Sequence, residues 1–390
     1  MIIYIFLFAV SLILTYVLTP LVIPLAERIG AVDVPAERKV HQISVPRLGG
    51  LAVVVALYGS LLLGCLVNQF IRGSFLGQLG GILAGSLIIV TLGIIDDIRN
   101  LSPWLKLVVQ TAAAGVAVAL GVHFELASNP IGAQMRDTVN LGVLGIPLSM
   151  LWIIALTNAM NIIDGLDGLA CGIALFTSAT LLFISINQGA GFVTYVYAAL
   201  AGSTLAFLKY NRYPARIFLG DTGSMFLGFT LACLTIRGTQ KSFAVSAFLI
   251  PLIVFGIPLF DSILAVLRRY FNSRNVGQAD REHIHHRLLD VGLTQRQVVH
   301  SLYGVTILLG IIAFSFTVML DEYAALIVFI IGLMGAFLAR ELNLVAPPQR
   351  RFERKKRHEE EEEKRSKQFE RKKRQEEEEE RKKQSGGKPE

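Results

Sequence analysis

Long apolar stretches broken by short polar ones run from the start of the chain to about residue 341. A helix needs about 20 mostly apolar residues to cross a bilayer. At that length the pattern predicts about eleven spans, roughly 2–24, 48–69, 76–95, 104–122, 143–163, 168–186, 193–210, 222–236, 244–267, 299–319 and 323–341. The eighth is short and carries Gly223 and Gly228. Only helices and closed barrels satisfy their backbone inside lipid, so the expected fold class is an all-α polytopic membrane protein. Composition agrees, with 53% hydrophobic residues in a chain of 390 and a mean hydropathy of +0.54. Residues 1–24 lack a basic leader and a small-residue cleavage site, and read as a first span rather than a signal peptide. Cys65, Cys171 and Cys233 sit in apolar runs without paired spacing and read as buried thiols.

Charge sets the expected orientation. Of the 20 Lys and Arg up to residue 349, 16 fall in or beside cytoplasmic segments if the N-terminus is outside; only Arg72, Arg136, Arg237 and Lys241 do not. An odd number of spans then leaves the C-terminus in the cytoplasm. Residues 1–345 read as one membrane-embedded domain, and residues 346–390 as a charged cytoplasmic tail. In that tail "FERKKRHEEEEEKRSKQ" at 352–368 recurs as "FERKKRQEEEEERKKQ" at 369–384. Its alternating basic and acidic blocks suit an exposed charged helix or a disordered segment. Affinity for anionic lipid, not for nucleic acid, is the expectation. The outer segment 123–142 has weak strand character.

Polar residues interrupt the apolar pattern at a few places, all on the side drawn as cytoplasmic. "GIIDDIRN" closes the third span with Asp96 and Asp97. "TNAMNIIDGLDGLACG" spaces Asn158, Asn161, Asp164 and Asp167 three apart. "RIFLGDTGSMFLGF" supplies Asp221 before the eighth span. Boundary carboxylates are costly and mark function by default. Adjacent aspartates point about 100° apart on a helix, so Asp96 and Asp97 could share a ligand only at a frayed end. A three-residue period drifts around a helix, and Gly165 and Gly168 suggest that the helix breaks there and re-aims its carboxylates. Asp221, ahead of Thr222 and Gly223, reads as the N-cap of its helix. So many carboxylates need a cation or raised pKa values to coexist. Oxygen donors with substrate phosphates suit Mg²⁺, and no Cys/His array suits zinc. A later loop, "DREHIHHRLLDVG", adds Arg281, His283, His285, His286 and Arg287. Histidines flanked by arginines favour phosphate or sugar recognition.

"NAMNIIDGLDGLA", "FLGDTGSMFLGF", the Asp96–Asp97 pair, "VPRLGG" at 45–50 and "HIHHRLL" occur together and in order over about residues 35–290. This combination resembles the polyprenyl-phosphate N-acetylhexosamine-1-phosphate transferases; the repeat tail does not match the family. One branch of that family takes UDP-MurNAc-pentapeptide and carries three consecutive histidines. Here Ile284 interrupts the histidines and Arg47 stands in "VPRLGG", which is similar to the branch that uses UDP-GlcNAc and starts teichoic acid, O-antigen or related polymers. The resemblance implies attack of undecaprenyl phosphate on UDP-GlcNAc at a plasma-membrane site facing the cytoplasm, with Mg²⁺, or Mn²⁺ in its place. It implies Asp221 as metal ligand, with Asn161 beside it, and Asp96 and Asp97 as the pair from which one member deprotonates the lipid phosphate. Asn158, Asn161, Asp164 and Asp167 would line the nucleotide site. Phe218 would stack on uracil, with Asn211 nearby. His283, His285, His286 and Arg287 would approach phosphates and sugar, joined by Lys106 in "SPWLKL" and by Arg47. His41 stands where the family often has a substrate-contacting lysine. Asp261 reads equally as a site residue or as a structural partner of Arg268 or Arg269. A homodimer is compatible with this reading.

Two rival readings stand beside this one. A lipid or ion-coupled transporter also places carboxylates at broken helices, but near the midplane and commonly in two similar halves; here they lie at one face and no half repeats. The nearer rival is the phospho-MurNAc-pentapeptide transferase. For the tail, truncation after Pro348 is expected to leave turnover intact, because residues 349–390 contain none of the assigned groups. Assay in detergent with saturating substrates checks this. A fall in kcat beyond about tenfold, ~1.4 kcal/mol of barrier, would make the tail part of the working enzyme.

Overall fold

The computed structural model describes residues 1–33, 44–128, 138–189, 191–239, 246–271 and 283–317. The expected span at 323–341, the tail, His41 and Arg281 lie outside the described residues. The helices are α1 (Ile2–Ile29), α2 (Gly50–Val67), α3 (Gln69–Arg99), α4 (Pro103–Ala119), α5 (Gly145–Ile163), α6 (Leu169–Gln188), α7 (Phe192–Asn211), α8 (Gly220–Thr239), α9 (Ser246–Val254), α10 (Gly256–Phe271), α11 (Ile284–Asp290) and α12 (Gln295–Ser315). Two antiparallel ribbons accompany them: β1 (Val32–Asp33) with β2 (Val45–Pro46), and β3 (Leu126–Ser128) with β4 (Thr138–Asn140). Among the described residues seven helices are long and apolar enough to cross a membrane. The architecture is that of a mostly helical polytopic membrane protein.

Local chemistry sets the helix limits. The Asn68 side chain accepts the N–H groups of Phe70 and Ile71 at 2.9 and 3.1 Å, so α3 starts earlier than apolar patterning alone predicts. Ser102 accepts the Leu105 N–H, and Pro103 opens α4 where its missing N–H costs nothing. Thr294 and Gln297 form a capping box at α12. The expected span at 244–267 is two helices, broken at Phe255. Pro258, three residues into α10, cannot donate to the carbonyl of Val254, and Gly256 lowers the helical preference further.

α1 packs along α7, α6 lies beside α7, and α8 runs between α3 and α5. α8 has the most enclosed run among the described residues: Met225, Phe226, Leu227, Phe229, Leu231, Ala232, Cys233, Leu234 and Ile236 are fully buried. α8 is absent from the seven candidate spans because Asp221, Thr222, Ser224, Thr230, Thr235 and Arg237 lower its hydropathy. Those side chains meet protein instead of lipid, as the Trp152 Nε1 donation to Thr235 Oγ1 at 3.0 Å illustrates. Cys171 and Cys233 are buried and Cys65 half-buried, and all are free thiols.

Candidate active site

The site grows from the meeting of the C-terminal end of α3 with the N-terminal end of α8. A helix start leaves N–H groups without intrahelical partners. Asp97 fills that need from the neighbouring helix. Its Oδ1 accepts the N–H of Asp221 at 2.8 Å; its Oδ2 accepts the Thr222 N–H at 3.1 Å and the Thr222 hydroxyl at 2.7 Å. The expected N-cap role of Asp221 is therefore corrected: it lies inside the first turn, and Asp97 is the cap. Two glycines permit the approach. Gly93, one turn before Asp97 on the same face of α3, faces the α8 backbone so closely that a Cβ there would stand 2.6 Å from the Thr222 nitrogen. Gly220 takes φ +72, and a Cβ on it would strike the Arg47 carbonyl and the Asp97 carboxylate.

Capping by Asp97 leaves the Asp221 carboxylate available. Its Oδ1 accepts Asn161 Nδ2 at 2.9 Å, and its Oδ2 pairs with Lys106 Nζ at 2.6 Å. The same ammonium pairs with Asp96 Oδ2, while Asp96 Oδ1 accepts the Leu101 N–H at 2.6 Å. Asp96 and Asp97 thus diverge, as a regular helix requires, and Lys106 links Asp96 to Asp221 across three helices. Asn161 Nδ2 also lies 3.0 Å from Ser224 Oγ. One lysine charge partly compensates two carboxylates in a partly enclosed place, and removing the lysine would leave both carboxylates uncompensated. Sequence reading missed Thr222, Ser224 and Gly93; the last two are small residues that carry no signal by themselves.

The remaining polar residues frame this centre. α5 ends at Ile163, Asp164 follows as its C-cap, and Gly168 turns the chain with φ +80, so the chain does break where the glycines suggested. Burial raises the Asp164 pKa well above the ordinary carboxylate range, and the charges of Asp221 and Asp97 add to the effect. Asp167 Oδ2 accepts the Ala215 N–H at 2.9 Å and clamps the segment after α7. Asn158 does not contact the carboxylates in this set: its Nδ2 binds Gln110 Oε1 at 2.7 Å, and Gln110 Nε2 reaches Met225 Sδ at 3.3 Å. Gln110, one turn beyond Lys106 in an apolar helix, was the legible signal for that link. Asn211 is buried, with Nδ2 donating to the Ile217 carbonyl at 3.0 Å and Oδ1 without a partner.

"VPRLGG" is mainly a backbone device. Phe218 N–H donates to the Pro46 carbonyl at 2.7 Å, Gly49 N–H to the Phe218 carbonyl at 3.0 Å, and Gly50 N–H to the Leu219 carbonyl at 2.8 Å. This fixes the half-buried Phe218 just ahead of α8. Arg47 lies 3.5 Å from Asp33, 3.8 Å from Asp97 and 3.4 Å from the Asn100 side chain. In the histidine loop, His283, His285 and Arg287 are buried. The His285 ring is 4.3 Å from that of His286 and packs against Gly165, in the loop that carries Asp164 and Asp167. Both of its ring nitrogens lack a hydrogen-bond partner. Burial and the adjacent His286 hold its pKa down to about 3, so it is neutral at pH 7. Among the described residues no group of three or more His, Cys, Asp or Glu forms a metal cage.

This arrangement, with the ordered motifs that surround it, defines a membrane transferase: the chain belongs to the polyprenyl-phosphate N-acetylhexosamine-1-phosphate transferase family. Residues 79–239 match the family described as glycosyl transferase family 4. The chain is 36% identical over 341 residues, 87% of its length and 92% of the relative's, to a probable undecaprenyl-phosphate N-acetylglucosaminyl 1-phosphate transferase of Bacillus subtilis. It is 36% identical over 324 residues to a decaprenyl-phosphate N-acetylglucosaminephosphotransferase of Mycobacterium tuberculosis, covering 78% of this chain and 79% of that one. A phospho-N-acetylmuramoyl-pentapeptide-transferase of Solidesulfovibrio magneticus is 30% identical over 311 residues, with 73% and 82% covered.

The close approach at Gly93 yields a test. Gly93→Ala is expected to push α8 off α3, cost about 1–3 kcal/mol as overpacking does, and lower both the thermal midpoint and turnover. Gly77→Ala, on the same helix with nothing within 4 Å of the added carbon, serves as control. Thermal unfolding in detergent that shows the two variants alike would refute the close-packing account.

Proposed function

We propose that the protein transfers GlcNAc-1-phosphate from UDP-GlcNAc to undecaprenyl phosphate at the cytoplasmic face of the plasma membrane. The observation that carries this reading is the linked set Asp96–Lys106–Asp221–Asn161, held where α3, α4, α5 and α8 meet. An oxygen of the lipid phosphate attacks the β-phosphorus of UDP-GlcNAc. The bond from that phosphorus to the bridging oxygen breaks, and UMP leaves with the electron pair. Such transfer asks the protein for positioning and charge compensation more than for covalent chemistry. Asp96 is better placed than Asp97 to take the proton from the lipid phosphate, because both Asp97 oxygens already hold the start of α8. Lys106 compensates the carboxylates and is close enough to compensate phosphate oxygens as well. Phe218 offers its ring to the base, and the unpartnered ring nitrogens of His285 suit phosphate or sugar.

The donor chemistry fits Mg²⁺, which favours one or two carboxylates completed by substrate phosphates and does not require a closed protein cage. Asp221 would hold it, with Asn161 able to offer its Oδ1 while its Nδ2 donates to the Asp221 carboxylate. When bound, the ion would neutralise charge on the pyrophosphate. UDP-GlcNAc, rather than UDP-MurNAc-pentapeptide, is favoured by Ile284 between the histidines and by the higher identity to the two N-acetylglucosamine-phosphate transferases. Initiation of a wall polymer such as teichoic acid follows as the expected role.

The deciding assay offers both UDP-sugars with undecaprenyl phosphate and Mg²⁺ to purified protein and follows UMP and lipid product. Product from the MurNAc-pentapeptide donor alone would overturn the sugar assignment. Absence of UMP release with either would overturn the reaction. Asp221→Ala is expected to abolish turnover while the protein still folds; near-normal activity at ordinary Mg²⁺ would remove Asp221 from the site. Phe218→Ala is expected to raise KM for the UDP-sugar more than for the lipid, since stacking on a base contributes ~1–3 kcal/mol. Equal effects on both would make Phe218 a packing residue.

A further inference from the structure

Asp261 has no part in the chemistry above, yet it is fully buried on α10. An enclosed carboxylate is costly unless its oxygens are engaged. Both are. Oδ1 accepts the Ile284 N–H at 2.9 Å, and Oδ2 lies 3.1 Å from His283 Nδ1. His283 stands at the start of α11 in extended conformation (φ −66, ψ 156), and its own side chain makes no capping bond. The cap comes from α10, as the cap of α8 comes from α3. A carboxylate oxygen accepts, so this geometry puts a ring proton on Nδ1.

The setting of His283 passes to its neighbours. Its ring lies parallel to that of His285, 8° between planes with centroids 5.9 Å apart, and His285 packs against Gly165 beside Asp164. One carboxylate on α10 therefore fixes both the start of the histidine helix and the tautomer of its first imidazole.

We propose that Asp261 is a positioning residue: it orients His283, and through it the histidine helix, for the transfer reaction. The proposal deepens the function proposed above and rests on it for its kinetic arm. Carboxylates that orient metal-ligating imidazoles change activity by about 10–100-fold when removed, and a loss of the same order is expected for this ring. Asp261→Asn preserves shape and an oxygen for the Ile284 N–H, but its amide can donate to the ring and so favours the opposite tautomer.

The experiment compares wild type, Asp261→Asn, Asp261→Glu, His283→Ala and the double variant Asp261→Asn/His283→Ala, each with its thermal midpoint. Asp261→Asn is expected to lower kcat by about 10–100-fold while either KM moves by less than about threefold, and Asp261→Glu to recover part of the loss. In the His283→Ala background the Asp261→Asn change should cost less than about twofold, because its effect runs through that ring. Losses that multiply would overturn the proposal. So would a loss in Asp261→Asn that follows the fall in its thermal midpoint and is not eased by Asp261→Glu. A second readout needs no turnover. In protein labelled with ¹⁵N-histidine, the resonance missing from His283→Ala should report Nδ1–H in wild type and Nε2–H in Asp261→Asn. An unchanged tautomer would overturn the proposal even if the enzyme were active, whereas wild type that releases no UMP would overturn only the reaction assigned above.

Discussion

The bonds from Asp97 to the first turn of α8 are the constraint on which the rest of the site depends. Buried, N–H groups at a helix start are expensive if unmet, and a charged acceptor contributes about 1.5–3 kcal/mol per bond. By meeting them from α3, Asp97 fixes the position of α8 and allows Asp221 to turn away from its own backbone. The Asp221 carboxylate then faces Lys106 and Asn161. Had Asp221 capped its own helix, the carboxylate would have been tied to local N–H groups. The small residues around this contact belong to the same arrangement: Gly93 admits the backbone of α8, and Gly220 bends it beneath Arg47.

Much of this was legible in the sequence, for identifiable reasons. Long apolar runs locate many of the helices, since crossing lipid demands a minimum apolar length. Those runs say less about what each helix faces. α8, patterned as the weakest span, is the most enclosed among the described residues, because its hydroxyls and Asp221 meet protein. The break at Phe255 was hidden inside a continuous apolar run and turned on Pro258 and Gly256. Residue types announced the site; partners did not. Asp96 and Asp97 are indistinguishable as letters, and only the surrounding helices decide that one caps and the other pairs with Lys106. Asn158 and Asn161 likewise share a spacing motif, yet Asn158 binds Gln110 while Asn161 binds Asp221.

Lys106 explains how these carboxylates coexist. A lone ammonium bridging Asp96 and Asp221 leaves the pair still negative by one, so the place retains attraction for a further cation. Phosphates without a cation would meet repulsion there, and a cation without phosphates would lack most of its oxygen donors. The geometry is thus most favourable when both arrive together.

The carboxylates divide by what their oxygens already hold. Asp97, Asp167 and Asp261 accept backbone N–H groups of other segments, at the start of α8, at Ala215 and at the start of α11. Asp221 instead meets side chains, and Asp96 gives one oxygen to the Leu101 N–H and the other to the Lys106 side chain; a side chain can be exchanged for a substrate atom without unfolding a helix end. Exchangeable contacts suit chemistry, whereas contacts to backbone suit positioning. Asp97, Asp167 and Asp261 therefore hold three separate segments against one another, and Asp96 and Asp221 stand within the frame so formed. Buried charge serves geometry first, and the pair proposed for the chemistry depends on that frame for its position.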